Sequence, residues 1–370
     1  MALQYDYGKQ EQGYSFEHYN FYDTLVRMGH KLIYFDFRTI AETNGREWMN
    51  HRLLELVRAE KPDLMFTVLA LDDKLDPRVI REISERTGTV TLNWFCDDHY
   101  RFNNYSCYWA PSFNWVITTD QNAVAKYADL GYRNAIKSQW ACNNFSYRKL
   151  ELPLKYDVTF VGQPYGNRRS IIQRLRDTGI RVEVWGTGWE TTGRVSQEGM
   201  IQVFNESRIN LNLTNAGCPV SHPAVRRRSH ARRWLSRCLD VVPFGAELKA
   251  TGKLWLSKVQ PGNGVAIAPI EPDLTNLSYP QQIKGRNFEV PGCGGFLLTE
   301  RAEELEQHYE IGKEIVCFDD VDDLIEKVRY YLCHEDERAE IAQAGYCRTL
   351  REHTYVHRFQ EIFERLKLSA

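Results

Sequence analysis

The residues richest in chemistry lie in one stretch, Lys284-Gly285-Arg286-Asn287-Phe288-Glu289, which runs on to Cys293-Gly294-Gly295. Two cations and a carboxylate share a segment of about one and a half helical turns. A glycine-rich break follows, and then Phe296 to Thr299 reads as a buried parallel strand. A helix start presents N–H groups and positive partial charge, which suit phosphate. A carboxylate such as Glu289 can accept two hydrogen bonds from the vicinal diol of a ribose. Lys284, Arg286 and Glu289 together therefore describe a nucleotide site. An ordinary surface helix before a strand is the other reading these residues allow.

Two glycine turns carry related chemistry. Gly162-Gln163-Pro164-Tyr165-Gly166-Asn167-Arg168 joins a strand to a helix. Its glycines let backbone approach a ligand, and Arg168 offers charge-assisted hydrogen bonds to a diphosphate. Strand ends of this kind are where open α/β sheets bind ligands, although a plain turn with exposed arginines has the same sequence. Trp185-Gly186-Thr187-Gly188-Trp189 lacks the third glycine of a dinucleotide fingerprint, so Gly186 and Gly188 are expected to shape a turn beside the pocket.

In the first half the polar cluster is Cys96-Asp97-Asp98-His99, at the end of an expected strand. Adjacent carboxylates resist double ionisation, which raises one pKa toward the range of a general base. A helix N-cap flanked by surface charges is the plainer alternative, and the residues do not single out Asp97, Asp98 or His99. His353 and His357 are spaced to share a helix face, but no third ligand stands near them in sequence. They read as structural, and no metal is expected.

The elements that must hold these residues alternate. Strands are expected at Lys31–Phe37, Leu64–Leu71, Thr89–Phe95 and Trp115–Thr119, with helices at Glu47–Ala59, after Asp76-Pro77, and at Gln121–Leu130. The pattern restarts at Tyr156–Gly162. A helix at Arg168–Asp177 and strands at Arg181–Trp185 and Ile209–Thr214 follow. The close is a helix near Arg301–Tyr309, a strand at Glu314–Phe318, and three helices, the first capped by Asp320. This is an α/β chain with two Rossmann-like domains, 1–153 and 154–350, and a last helix in 351–370.

Residues 217–282 break the rhythm and read as an insertion. Within it, 224–242 is arginine-rich with a Trp/Leu stripe, the composition of an interfacial helix that could meet an anionic membrane. A helix packed on its own domain fits equally well. With 370 residues, 43% hydrophobic content and net charge −2, the chain has a large core and no global drive toward nucleic acid. Nine cysteines, odd in number and without C-x-x-C spacing, point to a reducing compartment. Without a signal-peptide pattern at the start, a cytoplasmic protein is expected, peripheral on the inner membrane face if 224–242 binds lipid.

The string R-x-F-E-x-x-x-C-G-G-x-L-L-T at Arg286–Thr299 resembles the C-terminal signature of the CgeB-like glycosyltransferases, relatives of the group 1 family. The resemblance implies a GT-B fold with a cleft between two Rossmann-like domains and a last helix returning to the first. It also implies a first strand that begins a few residues before Met1. On the matching string, Glu289 would hold the donor ribose, and Gly294 falls on the glycine of the motif. The Gly162–Arg168 loop would meet the donor phosphates, and the Asp97–His99 cluster would face the acceptor. The activity implied is metal-independent transfer of a sugar, with no cofactor, from a nucleotide-diphosphate donor to a glycan, a lipid-linked acceptor or a polysaccharide precursor. Gln281 stands where group 1 enzymes carry a second Glu. That departure leaves a GT-B sugar-nucleotide epimerase and a non-catalytic binding module as alternatives.

Overall fold

The computed structural model describes residues 1–69, 74–190, 193–214 and 281–368. The insertion expected at 217–282 lies outside them except for Gln281 and Gln282, as does the basic stretch 224–242. The described residues belong to one compact unit, Met1–Gly217 with Pro280–Ala370.

Two parallel sheets organise it. The first contains β1 (Ala2–Leu3), β2 (Phe35–Asp36), β3 (Leu64–Thr67), β4 (Val90–Phe95), β5 (Trp115–Thr118) and β6 (Ala135–Lys137), in the order β2-β1-β3-β4-β5-β6. The second contains β7 (Tyr156–Val161), β8 (Val182–Trp185), β9 (Ser207–Asn212), β10 (Leu297–Glu300) and β11 (Val316–Phe318), in the order β11-β10-β9-β7-β8. All the pairings are parallel, so helices must cover both faces of each sheet.

The first half supplies α1 (Asp23–Arg27), α2 (Phe37–Asn44), α3 (Arg46–Glu60), α4 (Pro77–Arg86), α5 (Asp98–Arg101) and α6 (Gln121–Asp129). The second supplies α7 (Arg168–Asp177), α8 (Gln197–Glu206), α9 (Arg286–Gly292), α10 (Val321–Cys333), α11 (Glu335–Glu352) and α12 (Tyr355–Leu366). Local chemistry explains several boundaries. Asp76 accepts from the Arg78 amide at 2.9 Å ahead of Pro77, and Asp320 accepts from the amides of Asp322 and Asp323.

Three local expectations change. The strand expected over Lys31–Phe37 shrinks to Phe35–Asp36, because Asp36 caps α2 by accepting from the Thr39 amide at 3.1 Å. Helix α8, capped by Ser196, has no counterpart in the sequence reading. The helix expected at Arg301–Tyr309 is a 3₁₀ turn at Leu305–Gln307.

The chain crosses between the sheets twice, and the two crossings are tied together. The Cys142 amide donates to the His353 carbonyl at 2.9 Å, and the Tyr355 amide donates to the Cys142 carbonyl at 3.0 Å. Beyond this crossing α12 lies on the first sheet, where Tyr355 and Phe359 pack with Phe21, Phe66 and Trp94. His353 pins the crossing: its Nε2 lies 2.7 Å from the His308 carbonyl and its Nδ1 3.1 Å from an Arg358 guanidinium nitrogen. Since the guanidinium only donates, the ring is neutral with its proton on Nε2. His357 instead pairs with Thr354 in a capping box, so the two histidines do not converge on a metal.

Burial pushes His353 down to about 4 and His308 down to about 3. Both stay neutral in the fold, whereas the unfolded chain takes up protons below about 6.5. Stability should therefore fall as pH drops from about 6.5 toward 4. Urea midpoints at pH 7, 6 and 5 check this, and His353→Gln should flatten the dependence.

Candidate functional site

The site forms where β7 and β8 end side by side. Gly162 and Gly186 follow paired residues Val161 and Trp185, and the Gly162 amide donates to the Trp185 carbonyl at 2.8 Å. Gly186 has φ +144°, and a Cβ there would fall 2.3 Å from the Gly162 carbonyl oxygen, so only glycine fits. These turns wall a cleft of about 420 Å³ together with Gln163, Trp185 and Arg286. Tyr14 and Phe16, from the loop after β1, form the opposite wall. Gly162, Gly186 and Arg286 thus meet at one place, while Gly188 has φ +98° and a Cβ there would lie 3.3 Å from the Pro164 ring.

Three cations feel one another here. Lys284 is pushed down to about 8 by burial, with Arg168 adding to the shift and Asp97 opposing it. Arg168 is pushed down to about 10 by burial, with Arg286 adding and Glu300 opposing. Arg168 is only 9% exposed. Its guanidinium donates to the carbonyls of Gln163 at 3.0 Å and Leu213 at 2.6 Å, and it lies over the Phe160 ring. In this geometry Arg168 builds the loop and contributes its charge from behind it.

The start of α9 also differs from expectation. The amides of Asn287, Phe288 and Glu289 donate to the carbonyls of Lys284 and Gly285 at 2.9–3.0 Å, so they are already used within the turn. Attraction for an anion falls to the side chains instead. Asn287 anchors the stretch: its Oδ1 accepts from the Lys284 amide at 2.8 Å and from Asn212 at 3.0 Å.

Glu289 is fully buried. One carboxylate oxygen accepts from the Tyr147 hydroxyl at 2.6 Å and the other from the Arg286 guanidinium. In this conformation it has no exposed surface and meets the site through these two partners. Its effect is to aim Arg286, whose Nε lies 3.4 Å from the Val161 carbonyl at the edge of the cleft. Tyr147 was missed because the linker that carries it has no periodic pattern. Gly294 has a backbone role. It sits past the far end of α9 at φ +73°, where its amide donates to the Pro291 carbonyl at 2.8 Å, so it ends the helix.

Across the cleft, the structure separates the acidic cluster. Asp98 is fully buried, accepts from the Tyr127 hydroxyl at 2.9 Å, and is pushed up to about 6 by burial. It sits among core side chains in this structure. Asp97 is half-buried with Arg101 Nε 3.8 Å away. His99 has a buried Nδ1 without a hydrogen-bond partner. Burial pushes its imidazole below the usual range; Lys284 acts the same way, while Asp120, Asp97 and Glu304 oppose. Asp97, His99 and Lys284 are therefore electrostatic neighbours from opposite sheets. Among the described residues, no group of three His, Cys, Asp or Glu side chains could hold a metal ion.

With this geometry in hand, comparison with known proteins is informative. Residues 168–241 and 263–364 match the glycosyl transferase-like family model. The spore protein CgeB of Bacillus subtilis (strain 168) is 21% identical over 301 residues, 81% of each chain. These matches support a CgeB-like glycosyltransferase of GT-B type. Its fold is GT-B, with solved neighbours at low identity. HepE of Anabaena, in complex with UDP and glucose, aligns over 94% of this chain and 89% of its own at TM-score 0.54 and 11% identity. Sucrose-phosphate synthase of Thermosynechococcus elongatus aligns over 86% of this chain and 78% of its own at TM-score 0.52 and 9% identity.

Tyr147→Phe should leave a buried carboxylate oxygen unpaired and cost about 1–3 kcal/mol of stability. Urea unfolding of the variant checks the value, and an unchanged midpoint would show that Glu289 does not depend on Tyr147.

Proposed function

We propose that the chain transfers a hexose from a nucleotide-diphosphate donor to an acceptor hydroxyl in the cleft between its two sheets. The observation that carries this reading is the convergence of Lys284, Arg168 and Arg286 beside a cleft at the ends of β7 and β8. Three clustered cations stabilise the diphosphate as it leaves, in the place a metal ion would otherwise take. HepE, a GT-B neighbour, is described in complex with UDP-glucose, which supports a nucleotide-sugar donor.

In this reading the bond from the anomeric carbon to the phosphate oxygen breaks, and the acceptor oxygen forms the new glycosidic bond. The acceptor proton passes to His99. Its imidazole is held neutral by burial, which leaves it ready as a base at neutral pH. Asp97 orients the acceptor, and Glu289 keeps Arg286 aimed at the donor. The acceptor is a glycan, a lipid-linked sugar or a polysaccharide precursor. A peripheral place on an anionic membrane would follow from 224–242, and co-sedimentation with anionic vesicles at low salt tests it. No described helix is long and apolar enough to cross a membrane.

The first experiment is incubation with a panel of nucleotide sugars, with and without acceptor glycans, following release of nucleoside diphosphate. Acceptor-dependent release supports transfer; binding without release for every acceptor favours a binding module. His99→Ala should lower kcat by about 10²–10⁴-fold with donor KM nearly unchanged. A variant with normal kcat removes His99 from the mechanism. Because Lys284 loses its charge near pH 8, donor KM should rise between pH 7 and 9, and Lys284→Arg should abolish that rise.

A further inference from the structure

A second cavity lies on the first sheet, outside the cleft. Strand β6 ends that sheet and, among the described residues, pairs only with β5. Between β6 and α12 is a groove of about 600 Å³, lined by Trp115, Arg133, Ser138, Glu361, Glu364 and Arg365. Lys137 stands at the carboxyl end of β6, where it lines the groove and pairs with Glu304 at 2.7 Å. Glu304 is one of the carboxylates that bear on His99, so this end of the groove lies beside the acidic cluster. Extended chain from Arg133 to Ser138 spans about 15 Å, room for more than one sugar ring.

The polar groups of the groove lack partners. Ser138 is only 8% exposed, yet its hydroxyl oxygen is buried without a hydrogen-bond partner. A buried hydroxyl of this kind is costly unless something polar fills the place beside it. Glu361 and Arg365 stand at i,i+4 on α12, the spacing at which helical ion pairs form. Among the described residues, neither they nor Arg133 and Glu364 join an ion pair or a side-chain hydrogen bond. Trp115 packs partly against the core, and among the described residues no other ring or cation stacks on it.

We propose that this groove is a carbohydrate site that holds a neutral glycan chain, so that the acceptor is an oligosaccharide and not a single sugar. The acceptor role rests on the transfer reading above; the binding does not. With Lys137 taken by Glu304, two guanidinium groups and two carboxylates remain, a balance that favours neither an anionic lipid nor nucleic acid. It matches a neutral polyol. Carboxylates accept from vicinal hydroxyls, guanidinium groups donate to hydroxyl and ring oxygens, and the Ser138 hydroxyl does either. The Trp115 indole adds an apolar surface for the C–H face of a pyranose.

The test is native electrophoresis of the full chain through gels containing dextran, glycogen, galactomannan or xyloglucan, beside gels without polysaccharide. At least one of these should retard the wild type. Its dissociation constant should rise about tenfold in Arg133→Ala and in Glu364→Gln, as expected for one lost charge-assisted hydrogen bond. Both side chains are exposed, so urea midpoints and UDP binding should match the wild type. Retardation unchanged in both variants puts the sugar elsewhere and overturns the proposal. So does a wild type that none of the polysaccharides retards, which leaves the free edge of β6 to an extended peptide. Retardation that the variants lose, in a chain that releases no nucleoside diphosphate, overturns the transfer reading and keeps the groove as a glycan site.

Discussion

A carboxylate with no exposed surface is costly to bury unless both its oxygens find partners. Glu289 meets that demand with partners from two sources, Tyr147 in the linker and Arg286 three residues upstream on its own helix. One buried pairing thereby fixes the linker, the signature helix and the arginine at the edge of the cleft. Gly285 keeps the arrangement tight, because a Cβ there would crowd both the Phe16 ring at 3.0 Å and Glu289 at 3.4 Å. The loop after β1 is thus held against the same helix that carries the signature.

Around that anchor the site concentrates like charge, which is costly without a ligand. Lys284, Arg168 and Arg286 each lower or oppose another's charged state, and the fold offsets this only partly. Arg168 leans on two carbonyls and an aromatic face, and Asp97 and Glu300 contribute opposite charge from nearby. A dianionic ligand would relieve the remaining repulsion. The cation cluster is in this sense less satisfied than the core around it, as functional sites often are.

The architecture was largely legible because parallel strands are continuous apolar runs and their helices carry readable caps. Asp76-Pro77 and Asp320 did mark their helices. Reading failed where a side chain competed with the periodic signal. Asp36 turned strand into helix, and the acid-rich Arg301–Tyr309 stretch lacked the capping to hold more than one tight turn. At the site, residue types announced themselves but orientation did not. Asp97, Asp98 and His99 are consecutive, yet one faces the core, one meets an arginine and one keeps a free nitrogen. Tyr147 was silent because its partner lies more than a hundred residues away.

The double crossing between the sheets bears on biosynthesis. One face of the first sheet, with Phe21, Phe66 and Trp94, is covered by α12, which is made after the second sheet. As the ribosome works from the amino end, that face must wait uncovered while the whole second sheet is synthesised. The amino-terminal half therefore cannot finish folding vectorially as an independent domain would. Its aromatic surface stays open to chaperones, or to another nascent chain, until α12 emerges.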